Sequence, residues 1–342
     1  MPVGMPLLLI KSWLGKISVA AVVEAKGLTK RFGELVAVSS IDFEIEEGEV
    51  FGLLGPNGAG KTTTISMLAT LLRPTGGTAR VAGFDVVQQP AMVRRQIGIV
   101  FQEPSTDDLL TGWENLEMHG LLYGMPREQR RKAIDEALEL VGLTGRKDDL
   151  VRQYSGGMRR RLELARGLMH RPKVLFLDEP TLGLDPQTRE HIWEYIRRLA
   201  KEERITVLLT THYMEEADLL CDRVAIIDFG KIVVADEPER LKHRIGGDLV
   251  RIKQKRPEPE RFRKLPYVKN VGEKDGELVI AAENVTKNLQ DLLARAGEIE
   301  SVEVKEATLN DVFLHYTGRE FHEEAGEGGW MERAMMAERR GR

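Results

Sequence analysis

Four short stretches of this chain are almost wholly apolar: Val50-Phe51-Gly52-Leu53-Leu54, Ile97-Gly98-Ile99-Val100-Phe101, Val174-Leu175-Phe176-Leu177 and Ile205 to Thr210. Runs of this length between polar neighbours predict strands buried on both faces. Ile41-Asp42-Phe43-Glu44-Ile45 alternates instead, as an antiparallel strand with one wet face does, and Glu46-Glu47-Gly48 turns the chain. Val22 to Ala25 reads as a first strand, with Gly27 to Gly33 as the loop after it. Pro74 to Gly77 breaks the chain before a short strand at Thr78 to Ala82. From 103 to about 153 the apolar period becomes helical, as in Arg127 to Val141, where Ala133, Ala137, Leu138 and Val141 share one face. This predicts a helical subdomain inserted into a sheet-based core.

Past about residue 240 the pattern resets. Arg256-Pro257-Glu258-Pro259-Glu260 reads as a stiff polar link. Asp248 to Lys253, Glu277 to Ala281 and Val302 to Val304 are expected as strands and Thr286 to Ala296 as a helix, which together make a small α+β appendage over 241–318. Within a flexible tail expected over 319–342, Gly326-Glu327-Gly328-Gly329 frees a final segment, Trp330 to Arg342, in which Trp330, Met331, Ala334 and Met335 fall at helical spacing; so short a stripe is marginal alone.

Composition narrows the classes. The chain has 342 residues, 42 % of them apolar, enough for two domains, or one large domain with an appendage, with real cores. Its 50 basic and 54 acidic residues nearly cancel, so no bulk positive field argues for nucleic acid. The single cysteine, Cys221, excludes an internal disulfide and is expected as a small buried hydrophobe. No stretch reaches the ~18 to 20 continuous apolar residues that cross a bilayer. Residues 1–20, apolar but interrupted by Lys11 and Lys16, read as an extension before the core domain, with an amphipathic surface anchor as the alternative.

The candidate chemistry sits at the ends of the apolar runs. Gly55-Pro56-Asn57-Gly58-Ala59-Gly60-Lys61-Thr62 follows the first run and fits the phosphate-cradling pattern G-x-x-x-x-G-K-[ST] at every fixed position. Glycines let backbone N–H groups converge on a polyphosphate, Lys61 adds a full charge, and Thr62, opening a helix that continues through Thr63, can hold Mg²⁺. Asp178 and Glu179 end the run at Val174; Asp178 is the candidate Mg²⁺ ligand and Glu179 the base for an attacking water. Ser155-Gly156-Gly157 precedes a helix and offers a second anion-accepting end. Arg159-Arg160-Arg161 is either a solvated helix face or a phosphate or partner contact. His212 either touches a γ-phosphate or is a surface residue, and Phe32 is either a platform for a purine ring or a buried loop aromatic.

In this order the motifs resemble the nucleotide-binding subunit of ABC transporters over 22 to about 235. Gly55 to Thr62 matches the Walker A loop, Gln102 the Q-loop, Tyr154 to Met158 the signature motif, Val174 to Glu179 Walker B with its catalytic glutamate, Gly183-Leu184-Asp185 the D-loop, and His212 the switch histidine; Phe32 takes the adenine-stacking position. The signature departs from Leu-Ser-Gly-Gly-Gln at Tyr154 and Met158, a variant similar to the daunorubicin-resistance branch of drug exporters, as is Arg159 to Glu163. Thr308 to Phe313 looks like the closing helix of such ATPases.

The resemblance implies a P-loop NTPase core over 21–240, a mixed sheet flanked by helices, with an antiparallel β subdomain. It implies ATP and Mg²⁺ as cofactors, with Glu179, His212, Gln102 and Lys61 acting in hydrolysis. Phe32, Gly55 to Thr63, Ser155, Gly156, Gly157 and Asp185 would hold nucleotide, and Thr62, Gln102 and Asp178 would hold the metal. It further implies a head-to-tail pair of copies beneath a separate membrane permease, on the inner face of the cell membrane, exporting drug-like or lipophilic cargo. A soluble ABC ATPase acting on ribosomes or nucleic acid is the alternative; such proteins usually carry two cassettes or a long coiled-coil insertion. A binding-only cassette is disfavoured by Glu179 and His212.

Overall fold

The computed structural model describes residues 21–318 apart from 104, 246, 255–257, 275–276 and 284. The segment at 1–20, the tail at 319–342 and the start of the expected link at Arg256 therefore lie outside the described residues. The chain forms two compact units. One comprises residues up to Lys30, Ser40–Glu49 and Thr64–Leu208; the other comprises Arg31–Ser39, Val50–Thr63 and the chain from Leu209 on.

Fourteen strands are described: β1 Ala21–Phe32, β2 Leu35–Glu46, β3 Val50–Leu54, β4 Gly76–Val81, β5 Phe84–Asp85, β6 Ile97–Val100, β7 Val174–Asp178, β8 Thr206–Thr211, β9 Arg223–Asp228, β10 Lys231–Asp236, β11 Asp248–Gln254, β12 Val268–Lys274, β13 Glu277–Ala282 and β14 Ile299–Lys305. Their hydrogen-bonded orders are β2-β1-β4-β5, β10-β9-β3-β8-β7-β6 and β12-β13-β11-β14. The second sheet is mixed, because β3 runs parallel to β9 and β6 to β7 while β10 pairs antiparallel with β9. Every residue of β3 and of β7 is buried, as their unbroken apolar runs require.

In the first unit, β1 runs on through the segment expected as a loop. Gly27, at a φ of +58°, sits where the register with β4 shifts between Lys26 and Thr29. A Cβ on Gly77 would stand 2.1 Å from the Gly27 carbonyl oxygen, so close backbone approach, not a strand end, explains these glycines. Helices α1 Lys61–Leu68 and α2 Pro90–Gln96 follow their strands, and the insertion consists of α3 Gly112–Leu122 and α4 Arg127–Leu140. Thr111 and Glu114 form a reciprocal capping box at the start of α3, worth about 1 kcal/mol. α4 buries Arg130, Ile134, Ala137 and Leu138; Arg130 reaches Glu117 of α3 at 2.7 Å. Two longer helices complete this unit, α5 Gly156–Leu168 and α6 Pro186–Glu202.

The second unit adds α7 Met214–Leu220, α8 Pro238–Arg244, α9 Val285–Ala296 and α10 Leu309–Thr317. Cys221 is buried beneath β3, where a Cβ on Gly52 would stand 2.6 Å from its Sγ. The third sheet closes on α9 around Val250, Ile252, Phe262, Leu278, Ile280 and Leu292. β12 is a strand that its own sequence, with Gly272 and three charged residues among seven, does not predict. β14 is one of the sheet's two outer strands, and six of its seven residues are exposed. α10 starts at a second capping box, Thr308 with Asp311, ends at Gly318 with a φ of +72°, and packs against α7, α8 and β10.

Candidate functional site

The candidate residues divide between the two units. Phe32, Gly55 to Thr63 and His212 belong to the second unit; Gln102, Ser155 to Gly157, Asp178, Glu179 and Asp185 belong to the first.

In the second unit the phosphate loop leaves β3 at Gly55, whose N–H donates to the Thr211 carbonyl at 3.3 Å. No other residue fits there, since a Cβ would lie 2.2 Å from the Ile227 carbonyl oxygen of β9. Gly58 and Gly60 take φ values of +80° and +104°, the left-handed backbone that turns N–H groups inward. Lys61 is buried, and its ammonium donates to the loop carbonyls of Gly55 at 2.7 Å and Pro56 at 3.1 Å. Thr62 and Thr63 occupy the first turn of α1, while Asn57 and Gly58 stand exposed at the loop's crest. His212 follows β8 and is buried, not a surface residue; its ring lies 4.2 Å from that of Tyr213, centroid to centroid. Phe32 is half-buried at the end of β1.

In the first unit β7 delivers two buried carboxyl residues, Asp178 and Glu179. Glu179 has a φ of +48°, a left-handed backbone costing a non-glycine residue about 1 to 2 kcal/mol. Such strain persists where surrounding bonds enforce it. Arg160 of α5 enforces it: the buried guanidinium donates to the carbonyls of Asp178 at 3.1 Å, Glu179 at 3.0 Å and Pro180 at 2.6 Å, and to that of Phe101.

The arginine run is thus not a solvated helix face, since Arg160 is buried and Arg159 and Arg161 are half-buried. Arg160 braces the carboxylate strand; Arg161 binds the Val141 carbonyl at 3.0 Å and Arg159 pairs with Asp108 at 2.9 Å. Periodicity could have flagged Arg160, because it shares a buried helical face with Glu163, Leu164 and Gly167. Glu163 also escaped the sequence reading. Its buried carboxylate accepts the Ser105 N–H at 2.7 Å and pairs with Arg166 at 2.7 Å, fixing the segment just after Gln102, which is itself exposed.

Ser155 caps α5, its Oγ accepting the Met158 N–H at 3.2 Å. Tyr154, the departure from the family's leucine, is buried and donates its hydroxyl to the Arg146 carbonyl at 2.8 Å, tying the insertion to the start of the signature helix. Gly157 faces α6 so closely that a Cβ would stand 2.5 Å from Thr188 Cγ2. Asp185 caps α6: Thr188 gives it a hydroxyl bond at 2.6 Å and a backbone bond at 3.0 Å, and these hold its carboxyl below the usual range. That carboxylate serves its own helix first.

Comparison with known proteins agrees with this geometry. Residues 38–182 match the ABC transporter family model, and 237–317 match the C-terminal domain of DrrA1-3-like ATP-binding proteins. The daunorubicin resistance ATP-binding protein DrrA2 of Streptomyces coeruleorubidus is 43 % identical over 309 residues, spanning 86 % of this chain and 95 % of that one. The linearmycin resistance ATP-binding protein LnrL of Bacillus subtilis is 40 % identical over 306 residues, 86 % of this chain and 98 % of the other. Among solved structures, a dimeric post-hydrolysis state of the ATP-binding cassette MJ0796 with ADP and Pi superposes at a TM-score of 0.57, with 30 % identity over 63 % of this chain and 98 % of that one. The mixed sheet flanked by helices is thus the P-loop NTPase fold.

Proposed function

The chain belongs to the ATP-binding subunits of ABC transporters, and on that premise we propose that it drives export of antibiotic-like or lipophilic cargo through a separate membrane permease. It is an ATPase. The observation that carries the export reading is the match, along nearly their whole length, to resistance subunits named for daunorubicin and linearmycin. Among the described residues no helix is long and apolar enough to cross a membrane; in this proposal the separate permease carries the cargo. That permease would hold this subunit at the inner face of the cell membrane.

The proposed roles follow from side-chain chemistry. The N–H groups of Gly58 and Gly60 and the ammonium of Lys61 bind phosphate oxygens; Lys61 exchanges the loop carbonyls it now holds for the anion. The hydroxyl of Thr62, the carboxylate of Asp178 and the amide oxygen of Gln102 are hard oxygen donors of the kind Mg²⁺ takes, and the buried Asp178 suits a cation. Mg²⁺ there would neutralise phosphate charge. Glu179 takes the proton of the attacking water, and His212 contacts the γ-phosphate. The Ser155 hydroxyl and the amides of Gly156 and Gly157 sit at the start of α5, a ready anion site, and we propose that they serve the nucleotide of a second copy. Support for this pairing comes from the dimeric cassette that the chain resembles.

The test is recovery of tagged protein from fractionated membranes. An integral membrane partner recovered with it, and ATPase activity that a Lys61→Ala variant lacks, are expected. Recovery with ribosomes and no membrane partner would favour the soluble alternative.

A further inference from the structure

The turn between β9 and β10 is built against local preference. Lys231 pairs with Asp228, leaving Phe229 and Gly230 as a two-residue loop with φ values of 45° and 74°. Two successive left-handed residues call for asparagine or glycine at the first position, and a bulky aromatic there is a genuine outlier. Phe229 is moreover 74 % exposed, so core packing does not account for it. Strain of this kind clusters at ligand clamps.

The turn is also pinned to the phosphate loop. The Gly230 N–H donates to the Ala59 carbonyl at 3.0 Å, and the Gly230 carbonyl accepts the Ser39 N–H at 2.8 Å. Cβ atoms on Gly60 and Gly230 would stand 2.6 Å and 2.7 Å from one oxygen, that of Ala37. Loop, turn and β2 therefore meet backbone to backbone inside the second unit.

Strand order gives the direction of a bound nucleotide. β3 has β8 on one side and β9 on the other. β8 leads directly into His212, the proposed γ-phosphate contact, so on that reading ribose and base extend toward β9 and its turn. Phe32 stands at the tip of the β1–β2 hairpin, whose return strand carries Ala37 and Ser39.

We propose that Phe229 is a second aromatic contact for the purine base of ATP, so that rings from two hairpins, Phe32 and Phe229, grip it. The proposal rests on the nucleotide-site reading above. A ring held by strained backbone presents its face without first paying to order a loop.

The test is equilibrium binding of MgATP and of magnesium tripolyphosphate to the full chain. Phe229→Ala is expected to weaken MgATP about tenfold while leaving tripolyphosphate binding unchanged, because stacking is lost and phosphate contacts are not. Phe229→Trp should restore ATP affinity. Phe229→Asn should bind ATP as poorly as Phe229→Ala yet melt at higher temperature, since asparagine tolerates the left-handed backbone. Unchanged ATP affinity in Phe229→Ala, with both ligands lost in Lys61→Ala, overturns the proposal and leaves the nucleotide site standing. Equal loss of both ligands in Phe229→Ala also overturns it, because the turn would then only support the loop. Both ligands binding normally to Lys61→Ala would instead bring down the site reading.

Discussion

Arg160 holds Glu179 by its backbone: the guanidinium, five residues past the signature serine, donates at 3.0 Å to the carbonyl of the residue proposed to activate water. The same group reaches the strand end at Phe101, one residue before Gln102. One side chain therefore sets the height of two catalytic candidates.

Replacing Arg160 by Met removes its hydrogen bonds to four carbonyls and is expected to cost about 3 kcal/mol of stability. Arg160→Lys keeps the charge without the planar fork and should recover only part of it. Turnover should fall about tenfold or more in both, because the base is displaced without being removed. Denaturant melts and steady-state ATPase assays check this, and wild-type turnover in Arg160→Met would show the brace to be dispensable.

Glu179→Gln preserves size and the backbone brace. It is expected to bind ATP as the wild type does while hydrolysis slows about 10² to 10⁴-fold. Nucleotide binding measured beside phosphate release separates the two effects, and ordinary turnover would remove Glu179 from the mechanism.

Gly157→Ala puts a methyl where only 2.5 Å separates it from Thr188 Cγ2. The start of α5 and the start of α6 must then part, with a cost of about 1 to 3 kcal/mol. Adding Thr188→Ser, which removes that methyl and keeps the hydroxyl bonded to Asp185, should return most of the loss. A double-mutant cycle reads the coupling; strict additivity would refute the contact.

Acid sensitivity is expected from His119. Its ring lies 4.7 Å from that of Tyr123 and 6.0 Å from that of His170. Burial, aided by the charge of Arg166 and by His170, pushes its pKa down to about 3 from 6.5. The unfolded chain thus binds a proton that the folded chain refuses. Stability present above the unfolded value is lost as pH falls toward the folded one, by up to about 1.4 kcal/mol per pH unit from this group. Chemical melts between about pH 7 and pH 4 should show a shallower slope in His119→Phe; an unchanged slope would exclude His119 as the source.

Much of this was legible in the sequence because the phosphate loop, the acid pair and the signature glycines are fixed by local backbone needs. Val174 to Asp178 could hardly be anything but a buried strand, and Gly55 tolerates no side chain. What stayed hidden depends on partners distant along the chain. Arg160 reads as surface charge until Phe101 and Glu179 are seen around it, and the helix-capping bond of Asp185 is invisible until Thr188 is seen bonded to it. β1 ran past Gly27 because the glycine serves a close crossing with Gly77, which one strand alone cannot reveal. β12 is held by its pairing with β13 and shows little apolar pattern of its own.

The outer strand β14 has a consequence at high local concentration. An open row of N–H and C=O groups invites a neighbouring copy to add a strand, and repetition of that event makes fibres. Along β14 Glu300, Glu303 and Lys305 are exposed, and Lys253 and Arg251 of β11 stand within 3.8 Å and 3.9 Å of the two glutamates. A copy seeking to extend the sheet must bury or break those ion pairs. The charge along β14 thus opposes open-ended strand addition, which matters for a subunit proposed to work as a pair of copies.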